Sequence, residues 1–170
     1  MTTMSESARI PTIAGKRRKA REFALLGVYE ALINPTADFA AIDANLVSVI
    51  TDDGKPVAGC DLAAEDFEEC DKAFYREILD GVLGERGSIE ERIARHLDRE
   101  PSRLSVVEHA CLMIGTWELI HRPENPYRVV INEAVELSKH FGADRGYKLV
   151  NGVLDKIAAE VRPAEVQSKK

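Results

Sequence analysis

A chain of 170 residues, 45% hydrophobic and 31% charged, can bury a core without disulfide or metal staples and is neither disordered nor membrane-like in composition. No apolar run approaches a membrane span, and the polar stretch from Met1 to Ile10 lacks the apolar centre of a signal peptide, so a cytoplasmic location is expected. The net charge of −6 argues against a nucleic-acid partner, but five cations lie in Lys16-Arg17-Arg18-Lys19-Ala20-Arg21, which leaves −11 on the rest of the chain.

Apolar residues recur at helical spacing in seven stretches, and none alternates with the period of two that marks a strand, so an all-α fold of about seven helices is predicted. The first helix runs from about Arg17 to Ile33 along the stripe Ala20, Phe23, Ala24, Gly27, Val28 and Ala31, and Asn34-Pro35 stops it. A second follows Thr36, with Phe39, Ile42, Leu46 and Val49 inward. It gives way to a turn-rich segment at Thr51–Gly59 that reads as an insertion. Phe67, Phe74, Ile78, Leu79 and Val82 mark a third long helix, ended by the glycines between Gly84 and Gly87.

Ser88 with Glu91 and Ser105 with Glu108 both match the capping box that satisfies exposed amides at a helix start, so the fourth and fifth helices are predicted there. The fifth carries Val107, Ala110, Cys111, Ile114 and Glu118 down one side as far as Pro123. The sixth spans residues 129–141 and stops at Gly142, and the seventh runs through Tyr147, Val150, Leu154 and Ile157 to Pro163. Residues 16–163 are thus expected to form two packed helical subdomains, about 16–87 and 88–163, between flexible tails at 1–15 and 164–170.

Cys60, Cys70 and Cys111 fit neither a disulfide framework nor a zinc site and read as reduced thiols. The four scattered histidines suggest no metal. No nucleophile elbow or phosphate loop is present: Gly81-Val82-Leu83-Gly84-Glu85-Arg86-Gly87 lacks the Gly-Lys-Ser/Thr ending and follows a helix. A non-enzymatic protein without cofactor is expected.

The basic segment is placed at a helix amino terminus, where cations face the positive end of the macrodipole and repel one another, so an outside anion would compensate them. A phosphate backbone meets that need, although a solvated surface is the default for a lone charge run. Tyr29, further along the same helix, could stack on an unpaired base or simply pack. For the pair Asn151-Gly152, plain helix packing is the preferred reading.

Two stretches carry a resemblance: Arg17-Arg18-Lys19-Ala20-Arg21-Glu22 with Tyr29 downstream, and VINEAVELSKHFGADRGYKLVNGVLDKIA at residues 130–158. They resemble the NusB transcription antitermination family, and Leu104 to Leu119 with Pro126-Tyr127-Arg128 extend the likeness over nearly the whole chain. The resemblance implies binding of boxA single-stranded RNA together with the ribosomal protein NusE, within the RNA polymerase antitermination complex that transcribes ribosomal RNA operons. It places Arg17, Arg18 and Arg21 at RNA phosphates, Tyr29 as the aromatic of the same surface, Tyr127 and Arg128 near the RNA-facing side, and Glu108 at the NusE contact.

Two positions depart from the family pattern. Leu149 stands where many members carry Phe, and Arg145 occupies a loop position often acidic or polar, where an added cation would strengthen RNA affinity and steepen its salt dependence. Two other readings compete: a protein-interaction module that never touches RNA, and the RNA-binding domain of a ribosomal RNA cytosine methyltransferase, against which the missing strand-rich nucleotide-binding region and catalytic cysteine motif argue.

Overall fold

A computed structural model describes residues 12–51, 62–142 and 146–168. Nine α-helices and one short 3-10 turn follow one another among the described residues, with no strand among them. They are α1 (Ile13–Ile33), α2 (Phe39–Thr51), α3 (Ala64–Glu69), α4 (Lys72–Gly84), α5 (Arg86–Arg95), the 3-10 turn Pro101–Arg103, α6 (Val106–His121), α7 (Tyr127–His140), α8 (Gly146–Val161) and α9 (Pro163–Ser168).

The count exceeds seven for two local reasons. The third predicted helix is broken at Cys70-Asp71, because the Asp71 carboxylate accepts from the Phe74 amide at 3.0 Å and starts α4 afresh. The expected carboxy-terminal tail is helical over 164–168, since α9 is anchored by side chains described below. The expected amino-terminal tail is also shorter than predicted: Thr12 caps α1 by accepting from Gly15 N at 2.9 Å, so residues 13–15 form its first turn. Residues 1–11 lie outside the described part, as do Cys60 and, apart from Thr51, the 51–59 segment.

Of the two predicted capping boxes, the one at Ser105 is formed. Its hydroxyl accepts from Glu108 N and its own N–H donates to Glu108 Oε1, each at 3.1 Å. The one at Ser88 is not, because α5 already begins at Arg86. Ser88 therefore sits inside the helix, where its hydroxyl donates to Glu85 O at 3.1 Å.

The centre of the molecule is α6. Every residue from Ala110 to Leu119 is buried, which a helix achieves only when neighbours surround it, here α1, α4, α5, α7 and α8. Trp117 of α6 lies against Gly81 of α4 so closely that a Cβ on Gly81 would fall 2.0 Å from the indole nitrogen, and glycine is what lets these helices meet. One hydrophobic core therefore runs through both stretches expected as subdomains. At the amino-terminal end an edge-to-face ladder of Phe23, Phe67 and Tyr75, with ring centroids 5.1 and 5.5 Å apart, joins α1, α3 and α4. The Tyr75 hydroxyl donates to Asp43 of α2 at 2.8 Å.

Buried Arg162 clasps the carboxyl end of α6. Its guanidinium donates to Leu119 O at 2.9 Å, Arg122 O at 2.8 Å, Asn125 O at 2.5 Å and Glu165 Oε2 at 3.1 Å. Glu165 also accepts from the Tyr127 amide at 2.9 Å, so the segment after α8 ties the end of α6 to the start of α7. Cys70 and Cys111 are buried thiols. Burial pushes Cys70 up to about 11 and Cys111 higher still, which suits small hydrophobes better than nucleophiles.

Candidate nucleic-acid interface

Because α1 begins at Ile13, the cations from Lys16 to Arg21 occupy its second and third turns and not its amide-exposed end. The macrodipole penalty expected for them fades beyond the first turn. Most of the compensation also comes from inside the fold. Arg18 donates to Glu133 of α7 with both arms (Nε to Oε2 at 3.1 Å, Nη2 to Oε1 at 2.9 Å), and Lys19 pairs with Glu22 at 3.3 Å. Arg21 donates to Glu118 with both arms at 2.8 and 2.7 Å. Lys16 is exposed, and neither it nor Arg17 has a carboxylate partner among the described residues.

Arg21 corrects the expectation placed on it. It is 5% exposed and its partner Glu118 is 1% exposed, with Asn125 Nδ2 donating to Glu118 Oε2 at 3.0 Å, so the guanidinium is a core cation turned away from any phosphate. Glu118 was missed as a site residue although the signal was present: a carboxylate within the apolar stripe of α6 requires a buried partner. Arg17 turns toward α4. Its guanidinium carbon lies 6.0 Å from the centre of the Phe74 ring, which Arg21 and Arg122 also approach at 5.1 and 4.9 Å, and its Nε is buried without a hydrogen-bond partner.

Arg18 and Tyr29 do share a side of α1, since eleven residues of helix bring them within about 20° in rotation and about 16 Å along the axis. Tyr29 is 39% exposed, and Ile33, one turn on, is 61% exposed. Against this side α7 contributes Asn132, Glu133, Glu136 and His140, which with Arg18 and Glu22 line a groove of about 300 Å³. The result is a mixed rim: a cation held by a carboxylate, and an aromatic edge three turns away.

Tyr127 and Arg128 open α7 itself. The Tyr127 ring, expected near the RNA-facing side, is buried, while Arg128 is exposed, lies 5.7 Å from that ring centre and donates from Nε to the Tyr127 hydroxyl at 3.2 Å. Arg145 lies outside the described residues. Glu108 is used by its own helix start, and its carboxylate also packs against the beginning of α8: a Cβ on Gly146 would fall 2.6 Å from Glu108 Cγ. It borders a cleft of about 570 Å³ with His96, Arg99, Lys148, Leu149 and Lys156, so Leu149 presents an aliphatic edge there. Three of the histidines pair with carboxylates distant in the sequence: His96 with Glu160 at 2.8 Å, His109 with Glu90 at 2.7 Å and His121 with Glu85 at 2.5 Å. No group of three or more potential metal ligands occurs among the described residues, and no helix there is long and apolar enough to cross a membrane.

The model of the NusB family matches residues 18–159, from the rim arginine through α8. The chain belongs to the NusB family. Similar curated proteins are the transcription antitermination protein NusB of Bordetella pertussis, 48% identical with 89% of this chain and 91% of that one covered, and that of Thiobacillus denitrificans, 44% identical with 93% and 98% covered. Among solved structures, T. maritima NusB superposes with a TM-score of 0.69 at 26% identity, covering 89% of this chain and 96% of that one. A structure of antitermination factors NusB and NusE in complex with double-stranded RNA shares the fold, with a TM-score of 0.66 at 23% identity over 85% and 97% of the two chains.

Proposed function

We propose that this chain is a transcription antitermination factor that binds boxA RNA together with the ribosomal protein NusE and joins elongating RNA polymerase, supporting transcription of ribosomal RNA operons. The observation that carries this reading is membership of the NusB family across residues 18–159, with antitermination proteins of that name 44–48% identical over most of the chain. A fold shared with a NusB solved with NusE and RNA supports both partners. The methyltransferase alternative finds no support in these relatives.

Within that function, Arg18 and Tyr29 are the pair best placed to meet RNA, the guanidinium on a phosphate and the ring on a base. Arg128 and the unpaired Lys16 extend the positive surface, while Arg17, turned toward Phe74, and Arg145 belong to the same proposal from their positions in the sequence. Glu108 and its cleft are the proposed contact for NusE, whose docking would leave the carboxylate's capping bond in place. Tyr127 supports this surface from beneath, through its bond to Arg128.

The test is binding of a boxA-containing single-stranded RNA, with and without NusE, at two salt concentrations, against scrambled and double-stranded RNA of equal length. Cooperative, boxA-preferring and salt-sensitive binding is expected. Association with NusE and no RNA preference would leave a protein-interaction module instead.

A further inference from the structure

The preferred packing reading of Asn151-Gly152 fails in the structure. A Cβ on Gly152 would meet nothing within 4 Å, so no helix approaches it closely. Asn151 is exposed, and its amide has no hydrogen-bond partner among the described residues. The same holds for Asn132 of α7. Asparagine is a poor helix former because its side chain competes for backbone groups, yet both residues sit mid-helix and bond no backbone. Local structure gains nothing from either.

The two amides line one groove of about 410 Å³ between α7 and α8. Asp155, one turn beyond Asn151 on the same side of α8, shares it. Its walls include the aliphatic side chains of Ile131 and Val135. We propose that this groove is a base-reading subsite for single-stranded RNA, in which Asn132 and Asn151 address the hydrogen-bonding edge of an unstacked base and Asp155 accepts from an exocyclic amine. The inference rests on the RNA-binding reading above.

The chemistry selects a base over other parts of RNA. A primary amide offers a donor and an acceptor in one plane, the pattern that matches a base edge at two points. Arg128 also lines the groove and offsets the Asp155 charge, so it is the paired amides that single out a base edge, and the aliphatic wall suits the flat face of a ring. The phosphate contact has its own place, because Asn132 also lines the neighbouring groove that holds Arg18. Crossing α7 at Asn132 therefore passes from the mixed rim that carries Arg18 to an amide-lined slot, the division of labour between positioning and specificity that nucleic-acid recognition uses.

The experiment compares wild type, the double variant Asn132→Ala/Asn151→Ala, Asp155→Asn and Arg18→Ala in fluorescence-anisotropy titrations with boxA-containing and scrambled single-stranded RNA, NusE present. Circular dichroism melts check folding, which exposed helical alanines preserve. In the double variant, boxA affinity is expected to fall about tenfold or more, scrambled RNA to bind as before, and the salt slope to stay unchanged. Asp155→Asn is expected to alter the boxA preference without weakening scrambled RNA, and Arg18→Ala to weaken both RNAs alike and flatten the slope. A wild type that prefers boxA with a double variant that keeps the full preference overturns the subsite alone. Loss of NusE association in the double variant also overturns it and makes the groove a protein contact. A wild type that binds neither RNA overturns the RNA reading itself and the subsite with it.

Discussion

Two ion pairs leave the same stretch of α1 three residues apart, joined where Arg21 Nη1 comes within 3.9 Å of Glu133 Oε2, and they differ in burial. Arg21 reaches Glu118 in the interior, where the side chains are 6% and 1% exposed, and Arg18 reaches Glu133 at the rim, where they are 55% and 12% exposed. Both are two-armed guanidinium–carboxylate contacts with similar distances. Inside, neither charge can return to water, so breaking the pair strands a buried carboxylate; at the rim, water or another anion can replace Glu133. Burial, and not residue type or bond geometry, makes one arginine part of the fold and leaves the other open to exchange partners.

The largest effect expected from this contrast is on Arg21. Arg21→Ala should lower the unfolding free energy by about 3–5 kcal/mol in urea melts, and the double variant Arg21→Met/Glu118→Leu should recover most of that loss. A double variant as unstable as the single one would show that the charge itself is not the cause. At the rim, Arg18→Ala should leave stability within about 1 kcal/mol, while RNA titrations show uniformly weaker binding and a salt slope shallower by about 1. Glu133→Gln should do the reverse, releasing Arg18 and raising RNA affinity a few-fold with a steeper slope; weaker binding would mean that Glu133 orients Arg18 and does not compete for it.

The smallest effect concerns a pair between these extremes. The Glu90 carboxyl is held below its ordinary range first by its hydrogen bond with His109 and further by that ring's charge, and it is about one-third exposed. A depressed carboxylate contributes stability above its unfolded pKa and loses it as pH falls through the folded one. Melts at neutral and at strongly acidic pH should therefore show Glu90→Gln losing less stability on acidification than wild type, by less than about 1 kcal/mol after allowance for solvent screening. Identical losses would remove Glu90 from the acid response.

Much of the helical order was legible because it is written locally. The Ser105 to Glu108 capping box, the Asn34-Pro35 stop and the apolar stripe of α1 rest on contacts within a few residues. The break at Asp71 was also local and was overlooked, since one capping carboxylate outweighed a continuous apolar pattern. The Ser88 start failed for the opposite reason: a good cap sequence cannot act where the chain has already turned helical two residues earlier. The fates of Arg17, Arg18 and Arg21 were not legible, because they depend on which helices, α4, α7 and α6 respectively, stand opposite each side of α1. Those neighbours are set by chain segments 57, 115 and 97 positions away. The roles of Asn132 and Asn151 were hidden likewise, since their common groove exists only once α7 and α8 have packed.

The clasp made by Arg162 bears on the order in which the protein is built. Its carbonyl acceptors on Leu119, Arg122 and Asn125 lie 37 to 43 residues upstream, as does the Tyr127 amide held by Glu165 at a separation of 38. A ribosome delivers α6 and the first turn of α7 well before either residue that fastens them, and a loop of that length is closed only at an entropic cost. During synthesis the corner between α6 and α7 therefore waits unfastened, with its carbonyls served by water. Glu118, the partner of Arg21, stands at that same corner, so the clasp that closes beside this buried ion pair is the last part of the corner that the ribosome delivers.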